Sequence, residues 1–119
     1  MAISHQTGRQ GEGIAARHLE KQGFRILEKN WQSSHQEVDI IARKDKLLLI
    51  VEVKTRSSVY FGEPEVSVTR TKQRMLIKAA NHYILKNNLD AEVRFDIISI
   101  IIQNDQHRLN HIEDAFYPY

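Results

Sequence analysis

Apolar positions recur along this chain with two different periods. Between about Gly8 and Gln22, Ile14, Ala15, His18 and Leu19 fall at helical spacing and form a partly apolar stripe. Thr7 is the candidate N-cap of this helix and Gly23 its stop. Three extended runs follow: Phe24–Trp31, which alternates only in part, then Glu37–Arg43, then Lys46–Thr55. The last of these is apolar at every position from Leu47 to Val51, as expected of a central strand covered on both faces. The pair Asp45-Lys46 between the second and third runs predicts a hairpin. A loop over residues 56–68, with Gly62 and Pro64, precedes a second helix at Arg70–Lys86. Met75, Leu76, Ala79, Ala80, Tyr83 and Ile84 mark its apolar stripe, and Asn87-Asn88 ends it. Glu92–Ile102 reads as another buried strand and Arg108–Ile112 as a short one. The order is an α-β-β-β-α-β core plus a final strand, which predicts an α/β fold with a mixed central sheet flanked by helices.

With 119 residues and 13.9 kDa, one domain spanning residues 1–119 is expected. Hydrophobic residues at 41% and charged residues at 27% are those of a globular domain rather than a disordered tail. The five-residue run Leu47–Val51 is far too short to span a bilayer. The opening MAISHQTGRQ lacks the apolar segment of a signal peptide. Cysteine is absent, which excludes disulfides, thiolate zinc sites and Cys nucleophiles. A cytoplasmic protein without membrane contact is therefore expected. The formal charge of +2 makes only a weak overall field, so distribution matters more. Arg70, Lys72, Arg74 and Lys78 follow one another with no acid between them. Such a run suits a polyanion and equally suits a solvated helix face.

Three charged residues interrupt apolar strands, where an unpaired charge is expensive. Asp39 lies inside VDIIA; Glu52 and Lys54 close LLLIVEVK. Alternation puts Glu52 and Lys54 on one face and, likewise, Glu37 and Asp39 on one face. A two-residue tip at Asp45-Lys46 sets Lys44 opposite Leu47, Asp39 opposite Glu52 and Glu37 opposite Lys54. A four-residue loop keeps that relationship; a three-residue loop destroys it. Facing carboxylates repel, and a divalent cation converts the repulsion into binding. Oxygen ligands alone favour Mg²⁺ or Mn²⁺ over zinc. Glu-x-Lys also fits an ion pair at a strand end, and the facing acid keeps both readings open. Glu12, between Gly11 and Gly13, reads as a first-turn acid favourable with the helix dipole. Its flanking glycines weaken a helix and point to a close approach by another group. The histidines carry no convincing ligand pattern: His107 and His111 fall on a turn and a strand, where four-residue spacing does not converge. Trp31 reads as a packing residue and Tyr83 as core.

Taken in order, these residues resemble the YraN-like family of predicted endonucleases. The carriers are Gly8, Gly11 and Glu12; Gly23-Phe24 with Ile26-Leu27 and Asn30; Glu37 to Ala42; and Val51 to Arg56. Phe61-Gly62, Pro64, Lys72, Ala80, Tyr83, Arg94-Phe95-Asp96 and His111-Ile112 with Ala115-Phe116 follow in family order. One departure is Gln36, where the family usually has glycine. The resemblance implies a restriction-endonuclease-like fold with the pattern D-(x)n-(D/E)-x-K, here with residues 40 to 51 between Asp39 and Glu52. It implies Asp39 and Glu52 as metal ligands and catalytic acids, Lys54 as the catalytic lysine and Glu12 as the helix acid completing the metal site. Glu37 is an accessory position, and Lys72, between Arg70 and Arg74, a phosphate contact from the second helix. The implied activity is Mg²⁺- or Mn²⁺-dependent hydrolysis of DNA, structured or branched DNA included, with a homodimer compatible. A nucleic-acid-binding module with an idle site and a protein-interaction domain with ion-paired acids are the competing functions.

Overall fold

The computed structural model describes residues 5–33, 36–57 and 68–117, with the backbone alone for residues 5–7. The apolar run from Leu47 lies at the centre of the molecule because both faces of its strand are covered. Helix α1 is His5–Lys21 and α2 is Arg70–Asn87; the strands are β1 (Arg25–Ser33), β2 (Gln36–Lys44), β3 (Leu47–Arg56), β4 (Glu92–Gln103) and β5 (Gln106–Phe116). They form one mixed sheet in the order β1-β2-β3-β4-β5, with β3 and β4 parallel and the other pairs antiparallel. The parallel pair requires a crossover, and α2 lies within it. The helices pack on opposite faces. Leu49 and Val51 join Ile14, Leu19, Ile40 and Ile98 beneath α1. Leu48 and Ile50 join Leu76, Ala79, Tyr83 and Phe95 beneath α2. Strand alternation thus feeds two cores from one sequence run. The expected mixed α/β architecture is present.

Local chemistry explains the boundaries. Gly23 takes φ +94 just beyond α1, and Asn88 takes φ 51 as the C-cap of α2. Thr69 caps α2, its side chain accepting the Lys72 N–H at 3.1 Å. The Asp45-Lys46 tip sets Lys44 opposite Leu47, and the predicted register holds as far as Ile40 opposite Val51. Asn104 and Asp105 both have positive φ, and Gln103 opposes Gln106 directly across them. This two-residue turn starts pairing at once, so β5 is longer than the predicted Arg108–Ile112. The partial alternation of β1 comes from a register shift between Ile26 and Glu28 and from Asn30 at φ 52. Two expectations fail at α1. The helix begins at His5, so Thr7 lies within it, and Glu12 sits two turns in rather than in the first turn. The loop residues Phe61, Gly62 and Pro64, and also His35 and Tyr119, lie outside the described residues.

Candidate active site

β2 and β3 part beyond Ile40 and Val51. There the backbone N–H of Val53 donates to Asp39 Oδ2 at 2.8 Å instead of to a strand carbonyl. The side chain has replaced a rung of the ladder, and it brings the Asp39 carboxyl to that of Glu52. Burial, the hydrogen bond with Glu52 and the Glu52 charge push Asp39 from 3.8 up to about 9, against the lowering effect of the Val53 N–H. At neutral pH Asp39 therefore keeps its proton beside Glu52. Glu52 is 4% exposed, and its Oε2 has no hydrogen-bond partner among the described residues. Lys72 Nζ from α2 lies 3.3 Å from that oxygen, close enough for an ion pair but not aligned as a hydrogen-bond donor. Lys54 shares the face of Glu52, is partly exposed, and makes no ion pair or hydrogen bond among the described residues.

The remaining expected residues divide. Of the two glycines flanking Glu12, only Gly11 marks a close approach: a Cβ there would meet Thr55 Oγ1 at 2.0 Å, so the helix rests directly on β3, whereas one at Gly13 would meet an Arg17 side-chain nitrogen at 3.6 Å, an ordinary contact. This contact brings Glu12 near enough to raise Asp39, as the smallest of its influences. Glu12 belongs to the α1 layer, whereas Glu52 faces Lys72 of α2. Among the described residues no three His, Asp or Glu groups converge into a ready cage. Two carboxyls remain, one with an oxygen that has an ion pair but no hydrogen bond among the described residues, and one or two carboxylates are what a magnesium-sized hard cation typically takes from a protein. Glu37 does not face Lys54. It is exposed and accepts Gln32 Nε2 at 2.6 Å. The reason is a break in alternation: Val38 enters the α2-side core and Ile40 the α1-side core. Arg70 and Arg74 are exposed, but Lys72 turns inward to Glu52 rather than outward as a phosphate contact.

Residues 11–100 match the family described as Uncharacterised protein family UPF0102. The chain belongs to that family. It is 45% identical to a UPF0102 protein of Flavobacterium psychrophilum and 46% identical to one of Flavobacterium johnsoniae, each alignment covering both chains completely. A UPF0102 protein of Bacteroides thetaiotaomicron is 43% identical over 99% of this chain and 98% of its own.

This UPF0102 chain also holds a polar network that the sequence reading missed. Asp96, fully buried on β4, accepts Arg94 Nε and one terminal nitrogen at 2.9 Å each, and the Asp114 N–H at 3.0 Å. His111 Nε2 donates to it at 2.6 Å, and His111 Nδ1 shares a hydrogen bond with His18 Nε2 at 3.0 Å. Burial would raise Asp96, but the bonds from His111, Arg94 and Asp114 outweigh it and hold the carboxyl below its usual range. His18 is lowered by burial, then by His111 and Lys21. The network joins α1, β4 and β5. Asp96 carries the same signal as Asp39, an acid inside an apolar strand. Of the other histidines, His107 is exposed, and His82 bonds Ser33 at 2.9 Å and packs on Trp31. Trp31 stands edge-on to Tyr83 with centroids 5.1 Å apart, and Tyr83 is core. No helix among the described residues is long and apolar enough to cross a membrane.

Proposed function

We propose that this chain is a metal-dependent DNA endonuclease with a restriction-endonuclease-like site. The observation that carries the reading is the meeting of two carboxyls, Asp39 and Glu52, at the point where the β2–β3 ladder stops, with Glu52 Oε2 buried and without a hydrogen bond among the described residues. Structural acids are ordinarily satisfied; this pair stores a repulsion that Mg²⁺ or Mn²⁺ would relieve. Asp39 and Glu52 would hold the ion, with Glu12 near enough to add charge from the α1 layer. When bound, it supplies an acidified water and polarises a phosphoryl oxygen. The chain's own residues do the rest. Asp39 releases its proton, and Glu52 Oε2 gains a further partner. Lys54, on the same face and without an ion pair among the described residues, neutralises charge developing on the phosphate. Two-residue spacing on a strand suits this division, because one face then offers a ligand and a cation side by side.

A second reading has its own observation. Lys72 already stands 3.3 Å from Glu52 and balances the carboxyl pair, as it would in an idle site whose domain only binds nucleic acid. One experiment separates the two. Mn²⁺ and Mg²⁺ are titrated calorimetrically into wild-type and Glu52→Ala protein, with a fluorescent branched DNA assayed alongside. Binding and cleavage that vanish together in the variant support the nuclease. DNA binding without metal uptake or scission in the wild type supports the idle site.

A further inference from the structure

Helix α2 carries five basic residues, Arg70, Lys72, Arg74, Lys78 and Lys86, and no acid, while the rest of the chain is net acidic. Its basic residues do not act alike. Lys72 points inward to Glu52 at 3.3 Å. Arg70, Arg74 and Lys78 recur at four-residue spacing on the opposite, exposed side, steps of about 6 Å along the axis. None of the three makes an ion pair or hydrogen bond among the described residues. They form a ridge that starts in the first turn of α2, the turn whose Lys72 reaches Glu52, and runs toward the C-terminal end of the helix. The step is comparable to that between successive phosphates of an extended strand.

Beside this ridge runs an apolar groove of about 280 Å³ between α2 and β4, bounded by Ile77, Ala80, Ile84, Val93 and Phe95, with exposed Lys78 also lining it. Leu85 continues the line of the ridge and is 71% exposed. A duplex offers phosphates to a cationic ridge but keeps its base faces stacked inside. A single strand offers both charge and unstacked apolar faces. From this juxtaposition we infer that α2 and its groove hold a single-stranded DNA arm. Its phosphates lie on Arg70, Arg74 and Lys78, and its bases lie against Ile84, Val93 and Leu85. This deepens the nuclease reading and rests on it for direction: the arm extends away from the scissile phosphate at Glu52 and Lys54. The substrate class is then DNA with an unpaired arm, rather than uniform duplex.

The experiment measures fluorescence anisotropy in EDTA with three probes: an oligothymidylate, a blunt duplex and a duplex bearing an oligothymidylate flap. Proteins are wild type, Arg74→Glu/Lys78→Glu and Leu85→Gln. Wild type is expected to prefer the two probes with an unpaired arm. The charge reversal weakens them at least about tenfold and flattens the salt dependence. Leu85→Gln weakens them several-fold and leaves the duplex unchanged. Equal affinity for all probes with no effect of Leu85→Gln overturns the inference in favour of a duplex-backbone surface. A wild-type dimer by sedimentation that Leu85→Gln disperses overturns it in favour of a second copy. Mn²⁺ calorimetry on the charge-reversed variant, expected to match wild type, keeps the readings apart. Absent metal uptake in both would sink the nuclease while leaving the arm preference to be judged on anisotropy alone.

Discussion

Asp39 accepts the backbone N–H of Val53 at 2.8 Å, through a side chain that stands where the strand ladder has stopped. That bond fixes the Asp39 carboxyl against Glu52 and makes the pair's proton count a property of the fold rather than of either residue. Asp39→Asn can keep an oxygen for Val53 and offer an amide hydrogen to Glu52. The variant is expected to melt within about 4 °C of wild type at neutral pH and to lose divalent-ion uptake. Differential scanning calorimetry and metal titration check the two halves separately.

Acid–base behaviour follows from the raised Asp39. Its folded value of about 9 lies above the unfolded 3.8, so between these pH values the folded state holds the extra proton. Metal-free stability therefore falls as pH rises through that window and levels off above it. Metal uptake displaces the proton, so affinity for Mn²⁺ is expected to rise about tenfold per pH unit up to about pH 9. Calorimetry in buffers of different ionisation heat counts the released proton directly. A flat affinity profile from pH 6 to 9 contradicts the protonated Asp39.

Lys72 competes for the same oxygen. Lys72→Met removes the cation 3.3 Å from Glu52 while keeping the length of the side chain. The metal-free protein is expected to lose stability, by about 1 kcal/mol once the partial exposure of Lys72 is discounted. Its divalent affinity should rise, because the ion no longer displaces an ammonium. Urea unfolding with and without Mn²⁺ reads both effects.

Gly11 tests the seating of α1. In Gly11→Ala the new Cβ would stand 2.0 Å from Thr55 Oγ1 and 3.0 Å from its Cβ, with the threonine held in a strand. Overpacking costs about 1–3 kcal/mol, against a helix-propensity gain of about 1 kcal/mol for the alanine. A net loss is expected, partly rescued by Thr55→Ala, and a double-mutant cycle measures the coupling. Gly13→Ala should be milder, since its Cβ would meet nothing nearer than an Arg17 side-chain nitrogen at 3.6 Å.

Asp96 anchors the second network and titrates in the opposite sense. Its folded value lies below the unfolded one, so its stabilisation is present above the usual carboxylate range and is lost as pH falls through the folded value. Asp96→Ala strands Arg94 and His111 and is expected to cost about 3–5 kcal/mol. Chemical denaturation at pH 7 and pH 3 should show the difference between variant and wild type shrinking in acid.

Element order was legible in the chain, because helical and strand periods are local properties. The β2–β3 register was legible too: Asp45-Lys46 leaves a two-residue tip, and every rung back to Ile40 and Val51 follows from counting. Glu52 and Lys54 share a face by strand geometry alone. The partners of these residues come from elsewhere. Whether Glu37 continues the rung pattern depended on Val38 and Ile40 entering opposite cores, a choice made by the two helix layers. That Lys72 turns inward while Arg70 and Arg74 turn outward depended on how α2 is rotated against the sheet. Asp96, His111 and His18 lie 93 residues apart at their extremes and meet only because β5 pairs with β4 under α1. Periodicity assigns each side chain to a face of its own element. Only packing decides which face meets which, and with it which acid keeps its proton.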